Sequence, residues 1–139
     1  MGFNLVDLAV NVVTNKIYVS GEDVAVIDGA TNTVIATVPI ENPYGIAVNP
    51  TTNEVYVADI FGNSVSVING RANSVVANIT LGAGCGPNGG SDPSAVVADT
   101  QTNFIYVIGR CLVLSARLMA VATPSWRPAG PLSRSTEWR

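Results

Sequence analysis

The sequence repeats itself, and this self-similarity restricts the folds open to the chain more than any other feature. One block, which has an Asn or Asp near its start and ends in Tyr-Val, occurs three times, at 9–19, 47–57 and 97–107. A second block occurs twice, at 24–36 and 65–77. The tyrosines of the first block lie 38 and 50 residues apart, and longer loops explain the larger gap. The chain is therefore built from units of roughly 40 residues.

Each unit predicts four short strands, because Val, Ile, Tyr and Ala dominate and Asn, Gly, Asp, Thr and Pro interrupt them. In the second unit we expect strands near 44–48, 54–58, 64–68 and 74–81. Three asparagines stand where a tight turn needs positive φ, and two dipeptides are strong hairpin signals. These residues are Asn15, Asn53 and Asn103, and Asp28-Gly29 and Asn69-Gly70.

A 40-residue period with four strands per unit is typical of a β-propeller blade. Neighbouring blades cover both faces of a blade, so its strands are apolar on both sides, as in 24–27 and 75–79. The competing interpretation is a β-sandwich of short strands, which rarely repeats its sequence so closely. We therefore expect an all-β chain of propeller blades, each with four antiparallel strands, in an incomplete, open propeller.

The repeats resemble the YVTN-type β-propeller repeat family over residues 5–109. The segments that carry the resemblance are 49–58, 64–70 and 73–77. The resemblance implies the fold strongly and the function weakly, because similar propellers include surface-layer and secreted proteins, lactonase-like enzymes and haem-bearing nitrite reductases. It also implies an extracellular, cell-surface or periplasmic location, although the first residues do not have the character of a signal peptide.

The predicted organisation follows the repeats until Gly109, where the pattern fails and the charge changes sign. Residues 1–109 carry nine acids and two bases, whereas 110–139 carry five arginines and one acid. We expect blade 1 at about 5–38, blade 2 at about 44–81, blade 3 from about 94, a possible remainder of blade 3 at 110–123, and a disordered or aberrant tail at 124–139. Within that remainder, 111–114 is the expected third strand and 118–122 the fourth.

Two interpretations of the tail remain open. The first is a fragment of a longer gene product with an altered reading frame at its end. The second is a functional arginine-rich arm that grips nucleic acid. The arginines are scattered among prolines without any lysine, and the whole chain has a charge of −3, so we expect no nucleic-acid partner.

Composition excludes several other classes. The chain has 139 residues, of which 47% are apolar and 12% charged, so it is neither a disordered chain nor a coiled coil. It contains no histidine, which excludes imidazole-based catalysis and histidine-ligated zinc or haem. The apolar run at 112–122 is too short to span a bilayer and contains Arg117, so no membrane span is expected.

One loop face is expected to be acidic, because strand parity brings five carboxylates to the same side of the blades. These residues are Glu22, Asp23, Glu41, Asp59 and Asp92. Such a face suits calcium or a basic partner. Ordinary solvated charge is the competing interpretation, since the spaced Asp-x-Asp pattern of a calcium loop is missing. Calcium is thus a weak expectation, and we predict no other cofactor and no catalytic residue; the sequence does not indicate any other metal.

Two covalent features are also candidates. Asn78 begins an Asn-Ile-Thr glycosylation sequon on an outermost strand. Cys85, in a glycine-rich loop, and Cys111, in the next blade, fall on the acidic face and lie in adjacent blades, so a disulfide between them is geometrically feasible. Two unrelated thiols are the competing interpretation.

The sequence leaves two functions open. The first is a non-catalytic propeller segment that serves as an interaction or cell-surface scaffold, with a protein partner or further blades. The alternative is a fragment of an enzymatic propeller, lactonase-like or cofactor-bearing, whose active site lies in missing blades. Because two to three blades do not close a ring, we also expect exposed blade faces, marginal stability and self-association.

Overall fold

The computed structural model describes residues 4–81 and 92–109 in full and the backbone of 117–122. The described residues form eleven strands and contain no helix. The strands are β1 (Asp7–Asn11), β2 (Lys16–Ser20), β3 (Val24–Asp28), β4 (Thr33–Val38), β5 (Pro43–Asn49), β6 (Glu54–Asp59), β7 (Ser64–Asn69), β8 (Ser74–Thr80), β9 (Pro93–Asp99), β10 (Phe104–Gly109) and β11 (Arg117–Ala122).

The strands form three antiparallel sheets, one for each repeat unit. Blade 1 has the order β1-β2-β3-β4, blade 2 has β5-β6-β7-β8, and blade 3 has β11-β10-β9. The all-β fold and the incomplete, open propeller are confirmed. In blade 2 the four observed strands begin and end within one residue of the predicted bounds.

The predicted layout of blade 3 is wrong in one respect. The strand expected fourth is β11, and it pairs directly with β10, from Gly109 opposite Arg117 to Phe104 opposite Ala122. It therefore occupies the third position of the blade. Without a third strand, the outer edge of β10 would leave its N–H and C=O groups unpaired. The apolar segment 117–122 pairs with this edge at six positions. The segment 111–114, expected as the third strand, lies outside the described residues.

Most turns between strands share one construction. An Asn or Asp at the end of a strand accepts hydrogen bonds from the backbone N–H groups two and three residues later, and an Asn four residues later has positive φ. The pairs are Asn11 with Asn15, Asp28 with Asn32, Asn49 with Asn53, Asn69 with Asn73, and Asp99 with Asn103. The positive φ expected at Asn15, Asn53 and Asn103 is confirmed, at 52°, 57° and 60°.

The two glycines expected to form tight hairpins have another reason to be glycine. The strands resume only at Thr33 and Ser74, so each hairpin loop is longer than two residues. A Cβ at Gly29 would overlap the side chain and carbonyl of Asn15, and one at Gly70 would overlap Asn53 in the same way. Close approach of the neighbouring turn therefore excludes any side chain at these positions.

The core lies between the blades rather than inside one sheet. One cluster fills the space between blades 1 and 2 and includes Tyr18, Val26 and Val55. The other fills the space between blades 2 and 3 and includes Tyr56, Val67 and Ile105. Blade 2 is thus buried on both faces, as the doubly apolar strands predict.

Candidate functional site

The two blade interfaces are built from the same pair of surfaces. We call the side of each blade that carries the second-strand tyrosine its tyrosine face. The opposite side is its valine face, which carries the aliphatic residues next to that tyrosine in the sequence. Between blades 1 and 2, Tyr18 and Val24 meet Val55 and Val57. Every interface within the described chain therefore joins a tyrosine face to the valine face of the next blade.

No described residue covers the valine face of blade 1. Leu8 is 61% exposed and Val10 is 46% exposed, whereas Ile46, the equivalent of Leu8 in blade 2, is 4% exposed. Val34 on β4 is also exposed, whereas its blade 2 equivalent, Val75, packs against the core. The face is therefore a contiguous apolar surface of the kind that marks an interaction site.

The tyrosine face of blade 3 is open as well. Val97 is 60% exposed, and Phe104 and Ile108 are each at least a third exposed. Ala47 and Ala58, which are the blade 2 equivalents of Val97 and Ile108, are buried under blade 3. The described part of the chain therefore ends in two unlike apolar faces, a valine face on blade 1 and a tyrosine face on blade 3.

At each interface, a side-chain amide at a turn of one blade hydrogen-bonds to a side-chain amide at a turn of the next blade. The Nδ2 group of Asn11 in blade 1 donates to Oδ1 of Asn53 in blade 2, at 2.9 Å. The Nδ2 group of Asn49 in blade 2 donates to Oδ1 of Asn103 in blade 3, also at 2.9 Å. We call this repeated contact the amide seam. The turn asparagines are predictable from the sequence, whereas the seam is not, although Asn11, Asn49 and Asp99 recur at one repeat position.

The interface between blades 1 and 2 has further polar contacts. The Lys16 ammonium donates to the Gly70 carbonyl at 2.7 Å and to Oδ1 of Asn73 at 3.1 Å. At the other end of the same strand, the Ser20 hydroxyl donates to the Tyr44 carbonyl at 2.6 Å. These directional contacts set the register between the two sheets, which the aliphatic core alone leaves loosely specified.

The equivalent tyrosines of blades 1 and 2 differ in their hydrogen bonds. The Tyr56 hydroxyl donates to Oε2 of Glu54 at 2.6 Å, and both residues are buried. Lys16 occupies the Glu54 position in blade 1 and offers no acceptor. The fully buried Tyr18 hydroxyl accordingly has no partner in the described chain. Burial also raises the pKa of the Tyr18 phenol above its ordinary value.

The structure brings together two of the five carboxylates predicted for the acidic face. Glu41 and Asp59 line a cavity of about 420 Å³, whose other polar residues are Ser64, Ser66, Asn78 and Thr80. The Asp59 carboxylate also accepts a hydrogen bond from the Gly62 N–H, so it caps its own turn. Glu22, Asp23 and Asp92 are not among the residues that line this cavity.

The metal and covalent candidates stay predictions. Within 4–81 and 92–109, no three His, Cys, Asp or Glu side chains group closely enough to hold a metal ion. Asn78 is exposed on β8, and its Oδ1 accepts from the Ser66 hydroxyl at 2.8 Å. Cys85 and Cys111, with the proposed disulfide between them, lie outside the described residues.

Comparison with known proteins supports the fold. No protein-family model matches the chain, and no curated protein matches it. Among solved structures, the chain is similar to hydrazine synthase from Kuenenia stuttgartiensis, a protein that contains a β-propeller, with a TM-score of 0.69 and 20% identity. The similarity covers 84% of this chain and 32% of that one. This chain therefore has a propeller-like fold and spans about a third of the length of that chain.

The described residues include no helix with the length and apolar character needed to span a membrane.

Proposed function

We propose that the chain is a non-catalytic segment of YVTN-type propeller repeats that serves as an interaction or cell-surface scaffold. The proposal includes an extracellular or periplasmic location and assigns no reaction to the described residues. One observation carries it: the valine face of blade 1 is apolar and exposed, although the same face of blade 2 is buried.

The chemistry of the open face indicates what binds there. In blade 2 the equivalent surface is covered by the tyrosine face of a neighbouring sheet, so the matching partner is another propeller blade. Leu8, Val10 and Val34 are each about half exposed, and burying the remainder contributes roughly 3–5 kcal/mol before the cost of association. That gain is enough for a specific contact when the polar groups at its edge are also paired.

The test places one positive charge on the valine face and the same charge on an exposed valine outside both open faces. In Val10→Lys the ammonium lies on the valine face of blade 1, whereas in Val76→Lys it lies on β8 of blade 2, where Val76 is 45% exposed and Val10 is 46% exposed. We expect Val10→Lys to abolish the association of the chain with other propeller blades, measured by light scattering with the 139-residue chain itself as the probe. We expect Val76→Lys to associate like the wild type. Equal association of both variants contradicts the proposal.

A further inference from the structure

We propose that the partner of the open faces is a second copy of this chain, bound so that the tyrosine face of blade 3 in one copy covers the valine face of blade 1 in the other. The inference rests on the proposed function and specifies its partner and register. The contact then continues the internal series, in which blade 1 joins blade 2 and blade 2 joins blade 3 through the same two surfaces.

The first argument is the match between the two free faces. Each internal interface joins a tyrosine face to a valine face, and the described chain leaves one of each kind exposed. Val97 and Ile108 stand on blade 3 where Ala47 and Ala58 stand on blade 2. They enlarge the apolar surface that a second copy covers, while Leu8 on blade 1 supplies the opposing aliphatic surface. The two faces therefore complement each other, whereas two copies of one face would not repeat any internal contact.

The second argument is that the amide seam has a free member at each end. Asn15 of blade 1 occupies the position of the acceptors Asn53 and Asn103, but it is exposed where they are half-buried. Within the described residues its side chain has no hydrogen-bond partner. Asp99 of blade 3 occupies the position of the donors Asn11 and Asn49. A second copy thus brings an unused amide to a carboxylate in the place where the seam requires a pair.

In this new pair the donor lies on the blade that presents its valine face and the acceptor on the blade that presents its tyrosine face, which is the reverse of the two internal pairs. The Asp99 carboxylate already accepts from the Gln101 N–H at 2.9 Å and from the Thr102 hydroxyl at 2.7 Å, and it keeps further lone pairs. A carboxylate only accepts, so Asn15 donates through Nδ2 instead of accepting through Oδ1. The hydrogen bond is charge-assisted, which makes it stronger than an amide–amide pair.

The Lys16 position differs between the internal interface and the proposed one. Lys16 reaches the Gly70 turn of blade 2, and its equivalent in blade 3 is Phe104, which is exposed. In the proposed register this ring meets the Gly29 turn of the second copy, so an apolar contact replaces the Lys16 hydrogen bonds. In the assembly we propose, two copies joined through both pairs of faces bring together six sheets of described residues, which lies within the range of four to eight blades at which propellers close. The proposed assembly is therefore a dimer.

The experiment is a double-mutant cycle on the seam, measured as the dimer dissociation constant by sedimentation equilibrium of the full chain. Asn15→Asp keeps a residue that tolerates positive φ but sets two carboxylates against each other, so we expect dimerisation about tenfold weaker. Asp99→Asn restores the amide pair seen inside the chain, and we expect it to stay within about threefold of the wild type. The double variant, which combines Asn15→Asp with Asp99→Asn, exchanges the amide and the carboxylate between the two positions. We expect the dissociation constant of the double variant to lie within about threefold of the wild-type value as well.

The matched control is Asn42→Asp, the same substitution at another exposed asparagine of positive φ, away from the seam. We expect it to dimerise like the wild type. Wild-type affinity of Asn15→Asp, or a double variant as weak as Asn15→Asp, overturns the proposed register. If Val10→Lys still weakens association in that case, the scaffold function stands and only the register is wrong. If the wild type does not associate at all, both proposals are wrong.

Discussion

Replacing Tyr18 by Phe should stabilise the chain, although it removes a polar group from a tightly packed core. The Tyr18 hydroxyl is buried between blades 1 and 2 without a partner in the described chain. Its equivalent in blade 2 is the natural control, because the Tyr56 hydroxyl donates to Glu54 from the same position of the repeat. The pair of variants therefore separates the desolvation of a hydroxyl from the packing of its ring.

The expected magnitudes follow from these two environments. A buried hydroxyl without a partner costs about 1–3 kcal/mol, part of which is offset by the small void that the missing oxygen leaves. We therefore expect Tyr18→Phe to raise the free energy of unfolding by about 1 kcal/mol. Tyr56→Phe loses a hydrogen bond and leaves the buried Glu54 carboxyl without that donor, so we expect a loss of about 1–3 kcal/mol. For a chain of this length, 1 kcal/mol corresponds to roughly 4 °C in Tm.

The assay is urea unfolding of both variants and the wild type at about pH 7, followed by a repeat at alkaline pH. Burial raises the pKa of Tyr18, so the folded chain holds this proton more tightly than the unfolded chain. The chain therefore keeps its neutral-pH stability below about pH 10, the ordinary tyrosine pKa, and loses stability as the pH rises through the folded-state pKa, because the unfolded chain releases this proton more readily. Tyr18→Phe should lack this part of the alkaline loss. The reasoning is refuted if Tyr18→Phe is as destabilising as Tyr56→Phe.

Two further outcomes are expected. Gly45→Ala should destabilise the chain by about 1–3 kcal/mol in urea unfolding, because the added Cβ would lie 2.6 Å from the Ser94 carbonyl oxygen on the facing strand of blade 3. Gly21→Ala, whose Cβ meets nothing closer than 3.5 Å, should be nearly neutral, and equal losses would contradict the close approach of the two strands. The Thr102 hydroxyl and the Gln101 and Thr102 N–H groups lower the pKa of Asp99. Its stabilising contribution should therefore be present above the ordinary aspartate pKa and be lost as the pH falls through the lowered value. An NMR titration of Asp99 tests this, and a midpoint at or above the ordinary value would contradict it.

The sequence predicts those parts of the fold that depend on local chemistry. Asn53 is expected at positive φ because the need for a left-handed residue is a property of the turn itself. Gly70 is different, since the reason for glycine there is the approach of Asn53 from a neighbouring turn. The place of β11 beside β10 is likewise non-local, because any apolar run of suitable length satisfies a free strand edge.

The candidate site is likewise predictable only in those features that do not depend on how neighbouring blades pack. Strand parity predicts which loops share a face, but not how far apart they lie, so only Glu41 and Asp59 of the five carboxylates line a common cavity. The two open faces follow from the number of blades and were expected. The amide seam requires the relative register of neighbouring sheets, and no single repeat contains that information, although Asn11 and Asn49 stand at the same repeat position.

Hydroxyl-radical footprinting tests the central claim most directly, because it compares the same surface in two blades of one chain. Leu8 on the open valine face and Ile46 at the equivalent position of blade 2 form the pair to be followed by mass spectrometry. The account predicts that Leu8 is oxidised in dilute solution and protected at high protein concentration, while Ile46 is protected at both. Protection of Leu8 equal to that of Ile46 in dilute solution, or oxidation of Leu8 that is independent of concentration, would contradict it.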